Sequence, residues 1–298
     1  MTDLEFEQVI RDPAARTAHY QGMVRTYFDR VTDTYREKWS DSFHFALFKG
    51  GETLQQALRA TECWIADDAG FRAGMRLLDI GCGVGGPALT IAAHSGAHVT
   101  GVSLVEKQIA IARQRAADHG LAERTSFEVA DAMYLPFANG SFDGAYIFDA
   151  SCHMPDKGRF FKECARVLRP GGVFVGLDWL KKDGLAPQQE AKYIEPICRL
   201  HSVPHLCTLP ELHRYLTEAG LDIAVVEDAS VHGNILRNWE LVDTLAVRGI
   251  RGLLPWLIPP TLRMLTDGGL ALADGARAGA FLIGHWRARK PLGDGGQP

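Results

Sequence analysis

The sequence lacks several features that would narrow the class of protein at once. None of its apolar runs approaches the roughly 18 to 20 residues that a membrane-spanning helix needs. The densest, "GLLPWLIPP" at 252–260, is broken by prolines and suggests a pocket wall or lid. No long run of lysine and arginine occurs, and the net charge of −4 gives no sign of a nucleic-acid partner.

The cysteines and the first residues also lack any special pattern. The six cysteines form no CxxC pair, and no basic segment followed by an apolar one opens the chain. We therefore expect a cytoplasmic protein with reduced thiols and no transmembrane segment. Its expected partner is a small molecule rather than a nucleic acid, and it could form a homo-oligomer.

Repeats and low-complexity tracts are missing too, and what is present is a repeated change of hydrophobic period. Short apolar runs that suit buried strands alternate with stretches that carry apolar residues on one helical face. The predicted strands are "MRLLDIG" (75–81), "AHVTGVSL" (97–104), "TSFEVAD" (125–131), "FDGAYIFD" (142–149) and "VFVGLDW" (173–179), with a final pair near the end of the chain. This alternation predicts an α/β fold with a parallel, doubly wound sheet, whose ligands bind beyond the carboxyl ends of the strands.

The same pattern divides the chain into three parts. Residues 1–70 look helical and aromatic and are predicted to cap a substrate, residues 71–290 hold the sheet, and residues 291–298 form a tail. Two insertions, at about 184–208 and 232–275, are expected to form the substrate pocket, the second as a helical lid before the last strands.

A glycine motif follows the first predicted strand. Gly81, Gly83 and Gly86 in "LLDIGCGVGGP" match G-x-G-x-x-G before a helix, which lets a backbone approach a nucleotide closely, although the same glycines could simply make a tight turn. A dinucleotide site also needs an acidic residue at the end of the second strand, where the sequence has Val102-Ser103-Leu104. This argues against NAD.

Carboxylates stand at other strand ends instead. Asp79 precedes the glycines and Asp131 ends the third strand, where they could hold an ammonium group and an adenine amino group. The fourth strand ends in "YIFDASCHMP" (146–155), which brings a carboxylate (Asp149) and an imidazole (His153) to the ligand edge of the sheet. Such groups can stabilise positive charge and accept a proton. Cys82 and Cys152 are predicted to be small buried residues.

These motifs resemble a known family. "LDIGCGVGGPALTIA", "GAHVTGVSLVEKQ", "VADAMYLPFANGSFDGAY" and "RVLRPGG" look like the class I S-adenosylmethionine (SAM) dependent methyltransferase fold. Further segments, "YFDRVTDTYREKWSDSFHFALFKGGE", "DASCHMPDKGRFFKECARVLRPGG" and "LDWLKKD", resemble the sterol 24-C-methyltransferase group. The match runs from about Tyr27 to Asp183.

The resemblance implies SAM as cofactor and transfer of its methyl group to an alkene carbon. Its cofactor residues carry over onto Asp79, Gly81, Gly83, Ser103, Leu104, Gln108, Asp131, Ala132 and Asp149. Attack by an alkene leaves a carbocation, which the protein must hold and then deprotonate. The candidates for that chemistry are Asp149, His153, Tyr27 and Tyr35. Aromatic faces offer cation–π attraction of roughly 0.5 to 2 kcal/mol each.

The predicted substrate-binding residues are Phe28, Arg36, Trp39, Phe43, His44, Phe45 and Trp179. Aromatic residues of an N-terminal helix often belong to a core instead, and His44 could simply satisfy a buried backbone carbonyl. A metal site is not predicted, because Val203 and Pro204 disfavour a helix that would align His201 with His205.

The sequence departs from the sterol enzymes where they carry an acidic and aromatic stretch. "YREKWS" keeps Tyr35 and Trp39 but adds Arg36 and Lys38, and Arg25, Arg30, Lys49 and the Lys181-Lys182 pair lie in flanking segments. Such a set suits a phosphorylated acceptor or forms a solvated charged face. We favour a prenyl diphosphate slightly over a sterol or other terpenoid. Mg²⁺ is possible with a diphosphate, although no D-D-x-x-D cluster occurs.

Two other classes of function stay open. Similar folds methylate nitrogen or oxygen on small natural products, with one base near a heteroatom. A non-catalytic SAM-binding protein would keep the glycines but lose the polar groups at the strand ends, and Asp149 and His153 argue against it.

Overall fold

A seven-stranded sheet lies at the centre of the computed structural model, which describes residues 1–242, 244 and 258–292. In chain order its strands are β1 (Arg76–Ile80), β2 (His98–Ser103), β3 (Thr125–Val129), β4 (Phe142–Phe148), β5 (Leu168–Lys181), β6 (Asp222–Asp228) and β7 (Phe281–Arg289). The strand order is β3-β2-β1-β4-β5-β7-β6. β1 to β5 are parallel, and β7 runs antiparallel to both β5 and β6. The predicted doubly wound sheet is confirmed, with its last strand reversed.

Helices cover both faces of the sheet, so the inner strands are apolar on both sides, as expected for parallel strands. In β1, Leu77, Leu78 and Ile80 are completely buried. The helices that follow the strands are α5 (Gly86–Ser95), α6 (Glu106–Asp118), α7 (Lys157–Val167) and α10 (Leu209–Glu218). Each predicted strand-to-helix alternation is thereby confirmed, and the carboxyl ends of β1, β2 and β4 share one edge.

The first 70 residues are helical, as predicted. They form α1 (Asp3–Arg11), α2 (Pro13–Ala18), α3 (Tyr20–Lys38) and α4 (Leu54–Asp68). Arg16 of α2 is buried and forms two parallel bonds of 2.8 and 2.7 Å to the carboxylate of Glu195, in the insertion after β5. Bidentate arginine–carboxylate pairs fix orientation as well as charge. This pair therefore ties the N-terminal helices to the insertion.

The insertion after β5 is largely helical. It contains α8 (Pro187–Gln189), a π-helical turn (Glu190–Ile194) and α9 (Glu195–Leu200). Between β6 and β7 lie α11 (Leu236–Val242) and α12 (Pro260–Arg277).

Two expectations fall partly outside the described residues. Most of "GLLPWLIPP" lies at 252–257, and the predicted tail includes 293–298. Across the described ranges, no helix combines the length and apolar character that crossing a membrane requires.

Candidate active site

Two cavities meet at the carboxyl edge of the sheet. The first, the sheet pocket, encloses about 830 Å³ including space open to solvent and is lined by Asp79, Gly81, Gly83, Ser103, Leu104 and Gln108 among others. The second, the aromatic pocket, encloses about 1020 Å³ on the same measure and is lined by Tyr27, Tyr35, Trp39, Phe45, Trp179 and residues of α12. Five residues line both: Phe28, Phe43, His44, Asp149 and His153.

Two glycines after β1 each allow a different segment to approach the backbone closely. Gly81 has a φ of 78°, and a Cβ there would lie 2.4 Å from the Cβ of Ala150 in the neighbouring turn. Gly86 has no such backbone requirement, but its Cβ would lie 2.4 Å from the backbone oxygen of Asp41. The third glycine of the motif therefore admits the N-terminal segment, which closes over the sheet pocket.

Asp79 brings an unpaired carboxylate into the sheet pocket. Its side chain is buried, and within the described residues its Oδ2 atom forms no hydrogen bond of normal geometry, although the nearby Tyr146 hydroxyl favours its ionised form. Burial raises the pKa of Asp79 to about 8. A buried carboxyl oxygen without a partner is costly, and an ammonium group bound in the pocket would satisfy it. Asp79 thus fits the amino-acid end of SAM.

The polar residues after β2 are linked to each other. Ser103 Oγ donates to Gln108 Oε1 at 2.8 Å, and Gln108 Nε2 donates to Thr32 Oγ1 of α3 at 3.3 Å. Ser103, Leu104, Gln108 and Ala132 all line the sheet pocket. The structure therefore brings together the predicted cofactor residues of β1, β2 and β4.

Asp131 is the predicted cofactor residue that lies apart from this set. Its carboxylate accepts hydrogen bonds from the Tyr20 hydroxyl and from Gln21 Nε2, the latter at 2.6 Å, so helix α3 covers it. Its neighbours Ala130 and Ala132 line the sheet pocket, but Asp131 does not. A role for Asp131 in holding adenine therefore requires α3 to shift.

Asp149 lies at the junction of the pockets in a strained backbone conformation. Its φ of 46° is rare for a residue with a side chain and turns the chain sharply after β4. Its Oδ2 accepts the backbone N–H of Phe45 at 2.9 Å. Burial, and next the negative charge of Asp178, raise the pKa of Asp149 to about 7. The carboxyl group is therefore poised to change its charge near neutral pH.

Two buried side chains, Asp178 and Lys157, hold the turn after Asp149. Neither was predicted from the sequence. Asp178 of β5 accepts the backbone N–H groups of Ala150 and Ser151, at 3.0 and 2.5 Å. Lys157 Nζ donates to the carbonyls of Ser151 and Met154, at 2.6 and 2.8 Å. Buried side chains that satisfy a turn's own donors and acceptors fix its shape.

This turn presents His153 with one free ring nitrogen. Nδ1 lies 3.0 Å from the Ser202 carbonyl, which can only accept, so Nδ1 carries the proton. Burial lowers the pKa of His153 to about 4, so the ring is neutral at physiological pH. Within the described residues Nε2 forms no hydrogen bond. His153 thus presents an unprotonated nitrogen at the junction.

The walls of the aromatic pocket are rings from the N-terminal segment and from β5. Phe45 stacks on Trp179 at 5.6 Å between centroids and meets Trp39 edge-on at 6.0 Å. Phe28 meets His153 edge-on at 5.3 Å. The predicted aromatic site residues, Tyr27, Phe28, Tyr35, Trp39, Phe43, Phe45 and Trp179, all line this cavity. The structure places them together, and their role stays a prediction.

A hydrogen-bonded chain crosses the same pocket. The Tyr27 hydroxyl lies 2.7 Å from the Tyr35 hydroxyl and 3.0 Å from His201 Nδ1. Burial lowers the pKa of His201 to about 4 and raises the pKa of Tyr35 to about 12. His201, considered in the sequence only as a disfavoured metal ligand, is therefore a neutral residue of the aromatic pocket.

His44 satisfies a backbone carbonyl, as one alternative expected, but it has a second partner as well. Nδ1 lies 2.9 Å from the Phe45 carbonyl, and Nε2 lies 3.1 Å from Glu62 Oε1, with both side chains buried. Burial alone would lower the pKa of His44, but the hydrogen bond and charge of Glu62 raise it overall. Glu62 could not be predicted as a partner of His44, because the two residues lie 18 positions apart on different elements.

The structure places the predicted diphosphate ligands largely elsewhere. Arg36 pairs with Asp41 at 2.6 Å and lines a separate surface groove. Lys181 pairs with Glu190 at 2.5 Å, and Arg25 donates to the Leu104 carbonyl at 3.2 Å. Of the lysines and arginines in the described part of the chain, Lys38 alone lines the aromatic pocket. Arg36, which was predicted to bind the substrate, thus lines neither pocket.

Two findings identify the class of the domain. The strand order with a reversed last strand is that of class I methyltransferases, and a family model described as "Methyltransferase domain" matches residues 78–176. Residues 78–176 therefore form a methyltransferase domain on the class I SAM-dependent methyltransferase fold.

Among curated proteins, the chain resembles sterol 24-C-methyltransferases. It is 41% identical over 168 residues to one from Gibberella zeae, which covers 56% of this chain and 44% of that protein. The chain spans about half the length of the curated relatives it matches.

Solved structures share the fold over nearly the whole chain. The 4+2 cyclase SpnF superposes with a TM-score of 0.76 at 26% identity, covering 91% of this chain and 96% of that one. A geranyl diphosphate C-methyltransferase from Streptomyces coelicolor superposes with a TM-score of 0.69 at 17% identity, covering 91% and 98%. At that identity the second likeness shows the fold alone.

Proposed function

We propose that the protein is a C-methyltransferase that methylates an alkene carbon of an isoprenoid acceptor. The observation that carries the proposal is the junction of the two pockets. Asp149 and His153 line both cavities, at the point where a donor in the sheet pocket would face an acceptor in the aromatic pocket. The likeness to sterol 24-C-methyltransferases supports this class of acceptor.

The cofactor supplies an electrophilic methyl group on a positively charged sulfur when it is bound. The chain's own contribution is to hold and orient both reactants. Asp79 offers its unpaired oxygen to the ammonium group, and the turn at Gly81 and Gly83 leaves room for the ligand beside the backbone. The N-terminal segment, which packs against Gly86, excludes water from the junction.

The aromatic pocket is suited to a carbocation because three of its polar side chains, Tyr27, Tyr35 and His201, are neutral at pH 7. A free carboxylate beside a carbocation would capture it as an ester, whereas aromatic faces and hydroxyl oxygens stabilise it without forming a bond. The Tyr35–Tyr27–His201 chain can place hydroxyl dipoles toward the acceptor. Asp149, whose Oδ2 is already engaged by the Phe45 N–H, lies at the edge of this space.

His153 is the base that we assign to the final deprotonation. Its Nε2 is unprotonated, and the ring lines both pockets and is oriented by the Nδ1–Ser202 bond. A general base needs such a nitrogen within about 3 Å of the departing proton. Asp149 then supplies the negative charge that favours a cationic reactant at the junction.

The described lining supports an acceptor without a diphosphate. Lys38, its one basic residue in the described ranges, is 59% exposed and pairs with Glu37 at 2.5 Å. In those ranges, the one group of three His, Cys, Asp or Glu side chains spaced for a metal ion lies away from both pockets. We therefore propose a sterol or other apolar terpenoid ahead of a prenyl diphosphate.

A panel of acceptors tests both the reaction and its acceptor class. The enzyme is incubated with SAM and matched pairs of prenols and prenyl diphosphates, with and without Mg²⁺, together with sterols, phenols and amines. We expect turnover of apolar alkenes that does not need Mg²⁺. Turnover confined to diphosphates would restore the prenyl diphosphate, and turnover confined to phenols or amines would replace C-methylation by O- or N-methylation.

A further inference from the structure

A cluster of two histidines and a glutamate lies at the last two strands of the chain, β6 and β7. Glu227 of β6 is the cross-strand neighbour of His285 of β7, and the 3₁₀ turn after β6 brings His232 back over the same site. Glu227 Oε1 lies 2.6 Å from His232 Nε2 and 3.0 Å from His285 Nδ1. We propose that these three side chains bind a divalent transition metal ion, with zinc as the favoured ion.

The position of Asp68 supports the proposal. Asp68 Oδ2, from the end of α4, lies 3.4 Å from the other ring nitrogen of His285, Nε2. Histidines that bind a metal through one nitrogen almost always donate the other N–H to a carboxylate or carbonyl, which fixes the ring. His285 is buried and already flanked by such a carboxylate, as a metal ligand would be.

The His285 ring, when neutral, has fewer N–H donors than the carboxylates beside it could accept. A neutral imidazole carries one N–H, yet the His285 ring lies between the carboxylates of Glu227 and Asp68. Within the described residues, Asp68 Oδ2 and His285 Nε2 are both buried and form no hydrogen bond of normal geometry, and the Arg287 guanidinium forms an ion pair with Asp68 Oδ2 at 3.3 Å. A cation bound by Nδ1 and Glu227 would leave the proton on Nε2 for Asp68. A doubly protonated ring would also satisfy both carboxylates, and it is the rival that the experiment must separate.

The ligand set favours zinc or a similar ion over Mg²⁺ or Ca²⁺. Imidazole nitrogens suit zinc, copper, iron and nickel, whereas the hard cations prefer all-oxygen sites. Tetrahedral bonds of about 2.1 Å place ligand atoms roughly 3.4 Å apart. The three donor atoms lie within 4.8 Å of one another, so small movements of the partly exposed Glu227 and His232 side chains would reach this spacing.

Trp64 gives the site a wall. Its ring lies 4.5 Å from the His232 ring and 4.8 Å from the His285 ring, between centroids. The exposed fractions of the His232 and Glu227 side chains are 32% and 34%, so solvent reaches the site from one side. The remaining metal coordination would come from water on that side.

The site would act on the aromatic pocket through the backbone. The His232 carbonyl accepts from Lys49 Nζ, and Asn234, two residues on, pairs with Phe48 by backbone bonds of 2.7 and 3.4 Å. These contacts hold the segment that carries His44 and Phe45. A metal that fixes His232 would therefore fix one wall of the aromatic pocket, which is a structural role rather than a catalytic one.

Metal titration of the full-length protein tests the proposal. After treatment with a chelator, the protein is titrated with Zn²⁺ by calorimetry, with Co²⁺ as a spectroscopic probe and Mg²⁺ in parallel. We expect one saturable Zn²⁺ equivalent, a tetrahedral Co²⁺ absorption spectrum and a raised thermal midpoint with Zn²⁺ but not with Mg²⁺. Glu227→Gln and His232→Asn should each weaken binding by about 100-fold or more, and Asp68→Asn by about 10- to 100-fold.

His94→Asn is the matched control. His94 forms a similar surface pair with Asp67, at 2.7 Å, and has no second histidine beside it, so this variant should bind Zn²⁺ like the wild type. Glu227 and His232 are partly exposed, so their variants should fold, and circular dichroism checks this. Binding that stays unsaturated at about 100 μM Zn²⁺, or that persists in both ligand variants, would overturn the proposal in favour of a protonated His285 in a hydrogen-bonded cluster.

Discussion

The sheet pocket and the aromatic pocket share five residues but are built in different ways. The sheet pocket is made by backbone turns at strand ends, such as the one at Gly81, and it contains the unpaired carboxyl oxygen of Asp79. The aromatic pocket is made by side chains from α3, the segment around Phe45, the insertion after β5 and α12. The sheet pocket is therefore formed by the sheet itself, and the aromatic pocket is formed by the segments that pack against the sheet.

The electrostatic contrast is equally clear. In the sheet pocket, burial raises the pKa of Asp79 to about 8, so a bound cation would stabilise the ionised form of this carboxyl group. In the aromatic pocket, burial lowers the pKa of His201 to about 4 and raises the pKa of Tyr35 to about 12, so both side chains are neutral at pH 7. The difference indicates that a stable cation is held by charge and a reactive one by neutral dipoles and rings.

The largest expected effect comes from closing the sheet pocket. Gly83 has a φ of 52°, which a β-branched residue adopts only with strain, so Gly83→Val should abolish SAM binding measured by calorimetry. Gly120→Val is the control, since Gly120 has a φ of 66° with open space around it. Circular dichroism should show both variants folded. SAM affinity that is unchanged in a folded Gly83→Val protein would remove Gly83 from the cofactor site.

Removing the base at the junction should have the next largest effect. His153→Ala should lower kcat by roughly 10² to 10⁴, the usual contribution of a general base, with a smaller change in SAM affinity. Part of the product should shift to another double-bond isomer or to a hydrated alcohol. If kcat and the products both stay as in the wild type, the proton leaves by another route, and Tyr35→Phe is the next variant to measure.

The pH dependence separates Asp149 from His153. Because the pKa of Asp149 is raised to about 7, it is ionised above that pH, and kcat/KM should rise as pH increases through about 7. Because the pKa of His153 is lowered to about 4, its own limb should lie near pH 4. At saturating SAM, where the bound ammonium group keeps Asp79 ionised, the remaining activity of Asp149→Asn should be flat between pH 5 and 8. A limb near pH 7 that survives in this variant would belong to a different group.

The smallest expected effect concerns one ring of the aromatic pocket. Phe45→Leu keeps the apolar volume but removes a ring that contacts both Trp39 and Trp179. Loss of one cation–π contact of roughly 0.5 to 2 kcal/mol should lower kcat/KM for the acceptor by about 2- to 30-fold, with SAM affinity unchanged. Phe137→Leu is the control, since Phe137 is partly buried against a different part of the core and lines neither pocket, so kcat/KM should stay unchanged. A matching loss of SAM affinity in Phe45→Leu would show that the two pockets are not separable.

The contrast between the pockets also explains what could be predicted from the sequence. The turn at Gly81 and Gly83 and the strand ends at Asp79 and Asp149 are local, so spacing along the chain was enough to place them. Asp131 was placed at the correct strand end, but its partners Tyr20 and Gln21 come from a distant helix. No feature of the sequence near Asp131 predicts that contact.

Other contacts could not be predicted because only the fold identifies the partner. Arg36 and Lys181 were candidates for a diphosphate site or for a solvated charged face, and the structure pairs each with an acidic side chain. Asp178 belongs to the "LDWLKKD" motif, but its hydrogen bonds to the turn before His153 depend on the pairing of β4 with β5. His201 was read against His205 along the chain, whereas its partner is Tyr27, 174 positions away.

The central claim is that carbon, not nitrogen or oxygen, receives the methyl group. Its most direct test is to incubate the enzyme with SAM deuterated in its methyl group and an apolar isoprenoid alkene, then locate the label in the product by NMR and mass spectrometry. The account predicts a trideuterated methyl group bonded to a former alkene carbon and the loss of one hydrogen from the acceptor. A label found on oxygen or nitrogen, or no labelled product from any alkene while phenols or amines are methylated, would contradict it.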